Sequence, residues 1–304
     1  MDSIPETSLL QFSSDTLQYI RKQRGLDNVE NLKDSLNNLH EWIQKQEHFK
    51  KKDYPKEYLE RFIIRSNGSI EIAKKKIDIL CTFKTKLPKY FEPFDMDNSY
   101  ILKIMQCAFL PKMTKDHSRI FVLKNRGQHY DSGILDFFKY FMMIIEYSAS
   151  HDYTNGLIAI FDYTENNIKE LSKATNPVEL QEALTIIMEG YNIKFNGIHY
   201  LTSSKWIDTF VGLLKNVLRP SLGNIIRVHN NVESIYEYVP KDILPVDFGG
   251  QEKPLNELSG VLKTLLVIGY KKLSRILLQC SLAISHAMNT ATVRVYCFFD
   301  VHNP

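Results

Sequence analysis

Two short apolar runs, with a helical stretch between them, constrain the fold more than any other feature of the chain. The first is Gly156-Leu157-Ile158-Ala159-Ile160-Phe161-Asp162 and the second is Phe195-Asn196-Gly197-Ile198-His199-Tyr200-Leu201. Both are rich in β-branched and aromatic residues. Such a short apolar run reads as a strand buried on both faces of a parallel sheet. The stretch from Glu165 to Tyr191 is helical in pattern, and Pro177 opens a second helix in it, Val178 to Glu189. Strand, helix, strand is a parallel crossover unit, and such crossovers are right-handed. The chain is therefore read as α/β, with a mostly parallel sheet and flanking helices.

Further elements extend this core in both directions. Upstream, Leu32, Leu36, Leu39, Trp42 and Ile43 trace one helix face, with Asp27 or Asn31 as its cap. Lys56 to Arg65 is a second helix, broken by Asn67-Gly68, and Ser69 caps a third that runs to about Lys86. Helices of this length with short breaks predict a small bundle over residues 1–95. Tyr100 to Cys107 reads as a short helix, Arg119 to Leu123 as a strand, and Asp136 to Tyr147 as a helix apolar on nearly all sides. Lys205 to Leu218 is amphipathic, with Trp206, Ile207, Phe210, Val211, Leu213 and Leu214 on one side. Ile225 to Val228 is a further strand, followed by a short helix, Val232 to Tyr238. Val261 to Ile284 is apolar with Lys263, Lys271, Lys272 and Arg275 interspersed, and Val293 to Val301 reads as a strand.

Composition removes several classes. A chain that is 44% hydrophobic and 24% charged buries a sizeable core, and a net charge of +3 gives no case for nucleic acid. The segment from Met1 to Gln11 carries Asp2 and Glu6 and lacks the apolar run of a secretory leader. The four cysteines are far apart, so reduced thiols and a cytoplasmic setting are expected. No nucleophile elbow, phosphate loop or HExxH is present, and the nine histidines lack metal-ligand spacing. Asp162 and His199 read as a structural cap and a hydrogen-bonded core histidine. The expectation is a protein that is not an enzyme and holds no cofactor or metal.

Several motifs in order resemble the CRAL-TRIO lipid-transfer family, in the branch of the α-tocopherol transfer protein, the retinaldehyde-binding protein and the clavesins, insect type. They are Leu39-His40-Glu41-Trp42-Ile43-Gln44-Lys45-Gln46, Tyr58-Leu59-Glu60-Arg61-Phe62-Ile63, Gly156 to Asp162, Lys194-Phe195-Asn196-Gly197-Ile198-His199, and Tyr238-Val239-Pro240-Lys241-Asp242-Ile243-Leu244-Pro245 with Phe248-Gly249-Gly250. The resemblance implies a helical N-terminal module (1–95), a lipid-binding domain (96–258) and an atypical tail (259–304). It also implies transfer of one small hydrophobic lipid between membranes, of tocopherol, retinoid, carotenoid or terpenoid type, by a monomer peripheral to membranes. A mobile gate helix would carry Trp206, Phe210, Leu213 and Leu214. The alternative is a non-transporting membrane or protein scaffold with a collapsed pocket.

On residue pattern alone the bulky apolar positions are core; the resemblance makes them a cavity wall. That wall comprises Phe138, Phe141, Met142 and Ile145 at helical spacing, Leu157 and Phe161 on one strand, Ile186, Ile187 and Tyr191 from the crossover, and Ile193, Phe195 and Ile198 at the next strand. Relatives bind phosphatidylinositol bisphosphate through basic side chains. Lys194 and Arg227 match two such positions, a third falls on Ser66 beside Arg65, and the fourth falls in the uncharged Gly223-Asn224.

Overall fold

The computed structural model describes residues 9–217 and 223–279, with Val217 and residues 269–279 as backbone only. Four helices come first: α1 (Thr16–Gln23), α2 (Val29–Lys45), α3 (Lys56–Arg65) and α4 (Ile70–Lys86). The cap of α2 is neither Asp27 nor Asn31 but Asn28, whose side chain accepts from the backbone N–H groups of Glu30 and Asn31. Ser69 caps α4 as expected, accepting from Ile72 N–H. Between α3 and α4 the chain turns through Asn67 and Gly68 at positive φ. A Cβ on Gly68 would sit 2.1 Å from the carbonyl oxygen of Arg24, so only glycine lets this turn meet the end of α1.

The sheet has five strands in the order β1 (Met105–Phe109), β2 (Ser118–Asn125), β3 (Gly156–Asp162), β4 (Phe195–Leu201) and β5 (Ile226–His229). β1 is antiparallel to β2 and the remaining pairs are parallel. The expected helix from Tyr100 to Cys107 is cut short: α5 (Tyr100–Ile104) gives way at Met105 to β1. Helix α6 (Leu135–His151) joins β2 to β3, and α7 (Ile168–Ala174) and α8 (Pro177–Thr185) form the next crossover. The second crossover helix does not stay α-helical to Glu189. After Thr185 it widens into a π turn, Ile186–Gly190, which packs Gly190 against Leu80 and Phe83 of α4.

One irregularity decides which side chains face inward. Leu157 pairs with Phe195 but Ile158 pairs with Gly197, leaving Asn196 as a bulge. Its amide is held by Ser118 Oγ at 2.7 Å. Phe195, Ile198 and Tyr200 therefore share a face with Leu157, Ala159 and Phe161, while Gly197 and His199 face the other way. The bulge shifts the period of this strand by one residue, so Phe195 and Gly197 lie on opposite faces.

Buried ionic groups tie the parts together. Arg119 and Asp152 form a fully buried bidentate pair at 2.9 Å, and Arg119 also donates to the carbonyls of Leu110 and Gln11. Lys84 of α4 meets Glu146 of α6 at 3.2 Å, with the Tyr191 hydroxyl donating to the same carboxylate at 2.6 Å. Burial alone would raise the Glu146 carboxyl; Lys84 and the Tyr191 hydroxyl hold it below the usual range. One apolar core runs without a break from Leu9 to Leu266.

Helix α9 (Ile207–Val217) follows β4, and α10 (Leu255–Gln279) covers the free edge of β1, where Ser259 Oγ accepts from Cys107 N–H at 3.2 Å. The segment expected as a helix from Val232 to Tyr238 is a tighter 3₁₀ turn, Glu233–Glu237. Leu218, the expected end of α9, and the expected strand from Val293 to Val301 lie outside the described residues.

Candidate functional site

An apolar chamber lies at the C-terminal ends of β3 and β4, between the sheet and α6, α7, α8 and α9. Ligands in open α/β sheets bind at this end of the strands. Of the expected wall, the structure brings Phe138 and Phe141 of α6, Phe161 of β3 and Ile187 of the π turn into this chamber. From α9 it brings Phe210 and Leu214. Tyr200 stacks on Phe161 at 5.1 Å, and Phe210 meets Tyr163 and Tyr200 at 6.1 and 6.0 Å. No lysine, arginine, histidine, aspartate or glutamate lines the chamber among the described residues.

Other expected wall residues go elsewhere. Ile145, Leu157 and Ile193 line a separate cleft at the N-terminal ends of the same strands. Met142, Ile186, Tyr191 and Ile198 are buried but do not reach the chamber, and Phe195 and Leu213 are half-buried. Trp206 stays 46% exposed in the turn before α9, with Lys169 Nζ 5.1 Å from its ring centre. The chamber is small, about 90 Å³, and three phenyl rings of its wall, Phe137, Phe138 and Phe141, pack on one another, with Phe137 stacked on Phe141 at 5.6 Å.

Sequence reasoning missed Asn125, Tyr130, Tyr163 and Tyr200, all of which line the chamber. Tyr200 was legible in principle, since it alternates with Ile198. Asn125 ends β2 and Tyr130 lies in the following loop, where no periodicity marks them. Tyr130 donates to Asn125 Oδ1 at 3.1 Å and accepts from the Asn166 amide.

The second cleft, about 310 Å³, is lined by Arg24, Arg65, Ser66, Asn192 and Lys194. Arg24 donates to Asn155 Oδ1 at 2.8 Å. Arg65 donates to the Tyr191 carbonyl at 3.0 Å, and its Nη2 has no partner among the described residues. Burial pushes Arg65 down to about 10, which leaves it charged at neutral pH. The expected pair of Lys194 and Arg227 is not assembled. Arg227 sits beside His199 in the β4–β5 register, five residues beyond Lys194, and its guanidinium lies over Tyr238 at 4.6 Å. At ~3.3 Å per residue that separates the two levels by roughly 16 Å.

The two residues weighed as structural have structural surroundings. Asp162 Oδ1 accepts from the Thr164 N–H and hydroxyl at 3.0 and 2.6 Å, and Oδ2 lies 3.5 Å from Lys124 Nζ. His199 Nδ1 is 2.9 Å from His229 Nε2, and His229 Nδ1 is 2.8 Å from Ser234 Oγ. Burial, then His229 and Arg227, push His199 down to about 4, so it is neutral at pH 7. Among the described residues no group of His, Cys, Asp and Glu is placed to hold a metal, and no helix is long and apolar enough to cross a membrane.

Comparison with known proteins places these features. Residues 103–250 match the CRAL/TRIO domain, and residues 28–101 match the Pinta-like UBA domain. Clavesin-1 of Xenopus laevis is 30% identical over 101 residues, 33% of this chain and 30% of that one. Clavesin-2 of Homo sapiens is 29% identical over 101 residues, 33% of this chain and 31% of its own length. The match thus spans less than a third of either clavesin. The crystal structure of Sfh5 superposes with a TM-score of 0.46 at 10% identity, covering 85% of this chain and all of that one. With both matched regions lying side by side along the chain, residues 103–250 are a CRAL/TRIO domain preceded by a Pinta-like UBA domain.

Proposed function

We propose that the protein binds one small hydrophobic lipid in the chamber beneath α9 and exchanges it at a membrane surface, without catalysing a reaction. The observation that supports this most is the chamber's place and chemistry: apolar, uncharged, at the C-terminal strand ends, and roofed by one amphipathic helix. Burying a lipid of ~25 apolar carbons holds it against water by well over 10 kcal/mol at roughly 0.8 kcal/mol per CH₂. Release into solvent is therefore too slow, and the door has to open onto a bilayer. Trp206, exposed beside Lys169, suits the membrane–water interface. In the same reading the chain is a monomer working in the cytoplasm at membrane surfaces, and its parts divide at about residues 95 and 258. The basic cleft around Arg24, Arg65 and Lys194 serves an anionic headgroup such as phosphatidylinositol bisphosphate.

A second reading has an observation of its own. A chamber of about 90 Å³ does not admit a tocopherol-sized molecule unless α9 moves or the α6 phenyl rings rotate, which favours a scaffold with a collapsed pocket. Native mass spectrometry of the purified protein separates the two. A carrier retains a lipid adduct, and Phe141→Asp abolishes it while the N-terminal helices stay folded. Cargo unaltered by that change contradicts the assigned lining, and a bare protein under mild extraction supports the scaffold.

A further inference from the structure

The chamber's polar groups fall into two kinds. The Tyr130 hydroxyl is committed to Asn125, and the Thr175 hydroxyl donates to the Leu171 carbonyl at 2.7 Å. Tyr163 and Tyr200 are different. They are 6% and 4% exposed, their rings lie 5.7 Å apart, and neither hydroxyl has a hydrogen-bond partner among the described residues. Both residues line the chamber, so a polar atom of a bound molecule is the partner open to them. Each phenol remains neutral, since burial raises both pKa values. Phenylalanine would fill the same space without the unpaired hydroxyl.

We infer that Tyr163 and Tyr200 form the polar end of the lipid site, and that the cargo carries an uncharged oxygen there, a hydroxyl or carbonyl, which accepts from one phenol or both. This rests on the chamber being the lipid site and goes further by naming the class of head group. A hydrocarbon leaves both hydroxyls unpaired. An ionised carboxylate or phosphate enters a site with no lysine, arginine or histidine in its wall, and a buried charge without a partner is excluded more strongly than a missing hydrogen bond. The same argument keeps phospholipid headgroups out of this end of the chamber.

The test compares three isoprenoids of one skeleton: farnesol, farnesene and farnesoic acid at pH 8. Equilibrium dialysis of the full chain gives their affinities for the native protein, Tyr163→Phe, Tyr200→Phe and the double variant. Farnesol is expected to bind about tenfold tighter than farnesene, the worth of one or two neutral hydrogen bonds. Farnesoic acid is expected to bind roughly 100-fold more weakly than farnesol. In the double variant farnesol and farnesene converge, with farnesene unchanged. Because no protein hydrogen bond is removed, the thermal midpoint of each variant stays level or rises, and that scan verifies folding. Equal affinities in the native protein, or a preference that survives in the double variant, overturn the inference while leaving the chamber as a lipid site. Failure of all three to bind overturns the chamber as a lipid site and this inference with it.

Discussion

In the proposed carrier, opening of α9 is the step on which transfer depends, and Phe210→Ala measures it. Four side chains, Ile207, Phe210, Val211 and Leu214, are between 5% and 8% exposed. At roughly 1.5–3 kcal/mol for each buried side chain, lifting the helix into water costs about 6–12 kcal/mol. The upper half of that range rivals the whole stability of a domain of this kind, so α9 opens on its own only if the lower half holds. Phe210→Ala should weaken closure by about 3 kcal/mol, or about 100-fold in the opening equilibrium. Native-state hydrogen exchange of the α9 amides reads that change directly. A control is needed, since any destabilising change also speeds exchange through global unfolding. Ile160→Ala in β3 provides it: Ile160 is fully buried but lies on the sheet face away from the chamber. It should lower protection of the sheet by the equivalent of 2–5 kcal/mol, on the order of other such truncations, and leave α9 as it was. If α9 protection falls with both variants, the helix leaves only when the domain unfolds, and a gate there is refuted.

Two further outcomes follow from the charges. His199, pushed down to about 4 by burial and by His229 and Arg227, binds fewer protons folded than unfolded between about pH 6.5 and 4. Stability from this site is complete above that window and is lost as pH falls through it, by up to about 3 kcal/mol. His199→Gln should flatten the urea midpoint between pH 7.5 and 5, and an unchanged slope would place the titration elsewhere. Lys194→Ala should weaken binding to anionic vesicles about fivefold, with a loss that shrinks in high salt, since one surface lysine is worth roughly 1 kcal/mol near an anionic leaflet. Arg227→Ala should leave that binding unchanged because its guanidinium is held over Tyr238; equal losses from both would move the membrane face to β5.

Much of the fold was legible because apolar period and helix breakers are local signals. β3 and β4 begin and end where their apolar runs do, and Pro177 opens α8 with Asn176 as its cap. What escaped is non-local. The bulge at Asn196 leaves no mark on the sequence, since it is set by Asn196 reaching Ser118 across the sheet. It decides that Tyr200 faces the chamber and His199 the reverse side. The site was half legible for the same reason. Helical spacing put Phe138 and Phe141 together, and both line the chamber, but it also included Met142 and Ile145, because an apolar helix buried all round gives no clue to which neighbour each face meets. The cleft drew in Arg24, which follows α1 and is far in sequence from the matched basic positions, because the Gly68 turn brings the end of α3 against the end of α1.

The two cavities share β3 but are not one channel. Leu157 lines the basic cleft and Phe161 the chamber, four residues apart and so roughly 13 Å along the strand. Between them Ala159 and Ile160 are fully buried, and Phe121 packs edge-on against Phe141 at 5.4 Å over this stretch of the sheet. A lipid with its headgroup among Arg24, Arg65 and Lys194 therefore does not extend its tail into the chamber unless that aromatic contact breaks. The charges lie at one end of the strands and the uncharged phenols at the other, so the two ends suit different chemistry. On the proposed reading, an anionic headgroup in the cleft and a neutral cargo in the chamber are two separate molecules. Any influence of one upon the other has to pass through the rigid core of the sheet, not through a shared ligand.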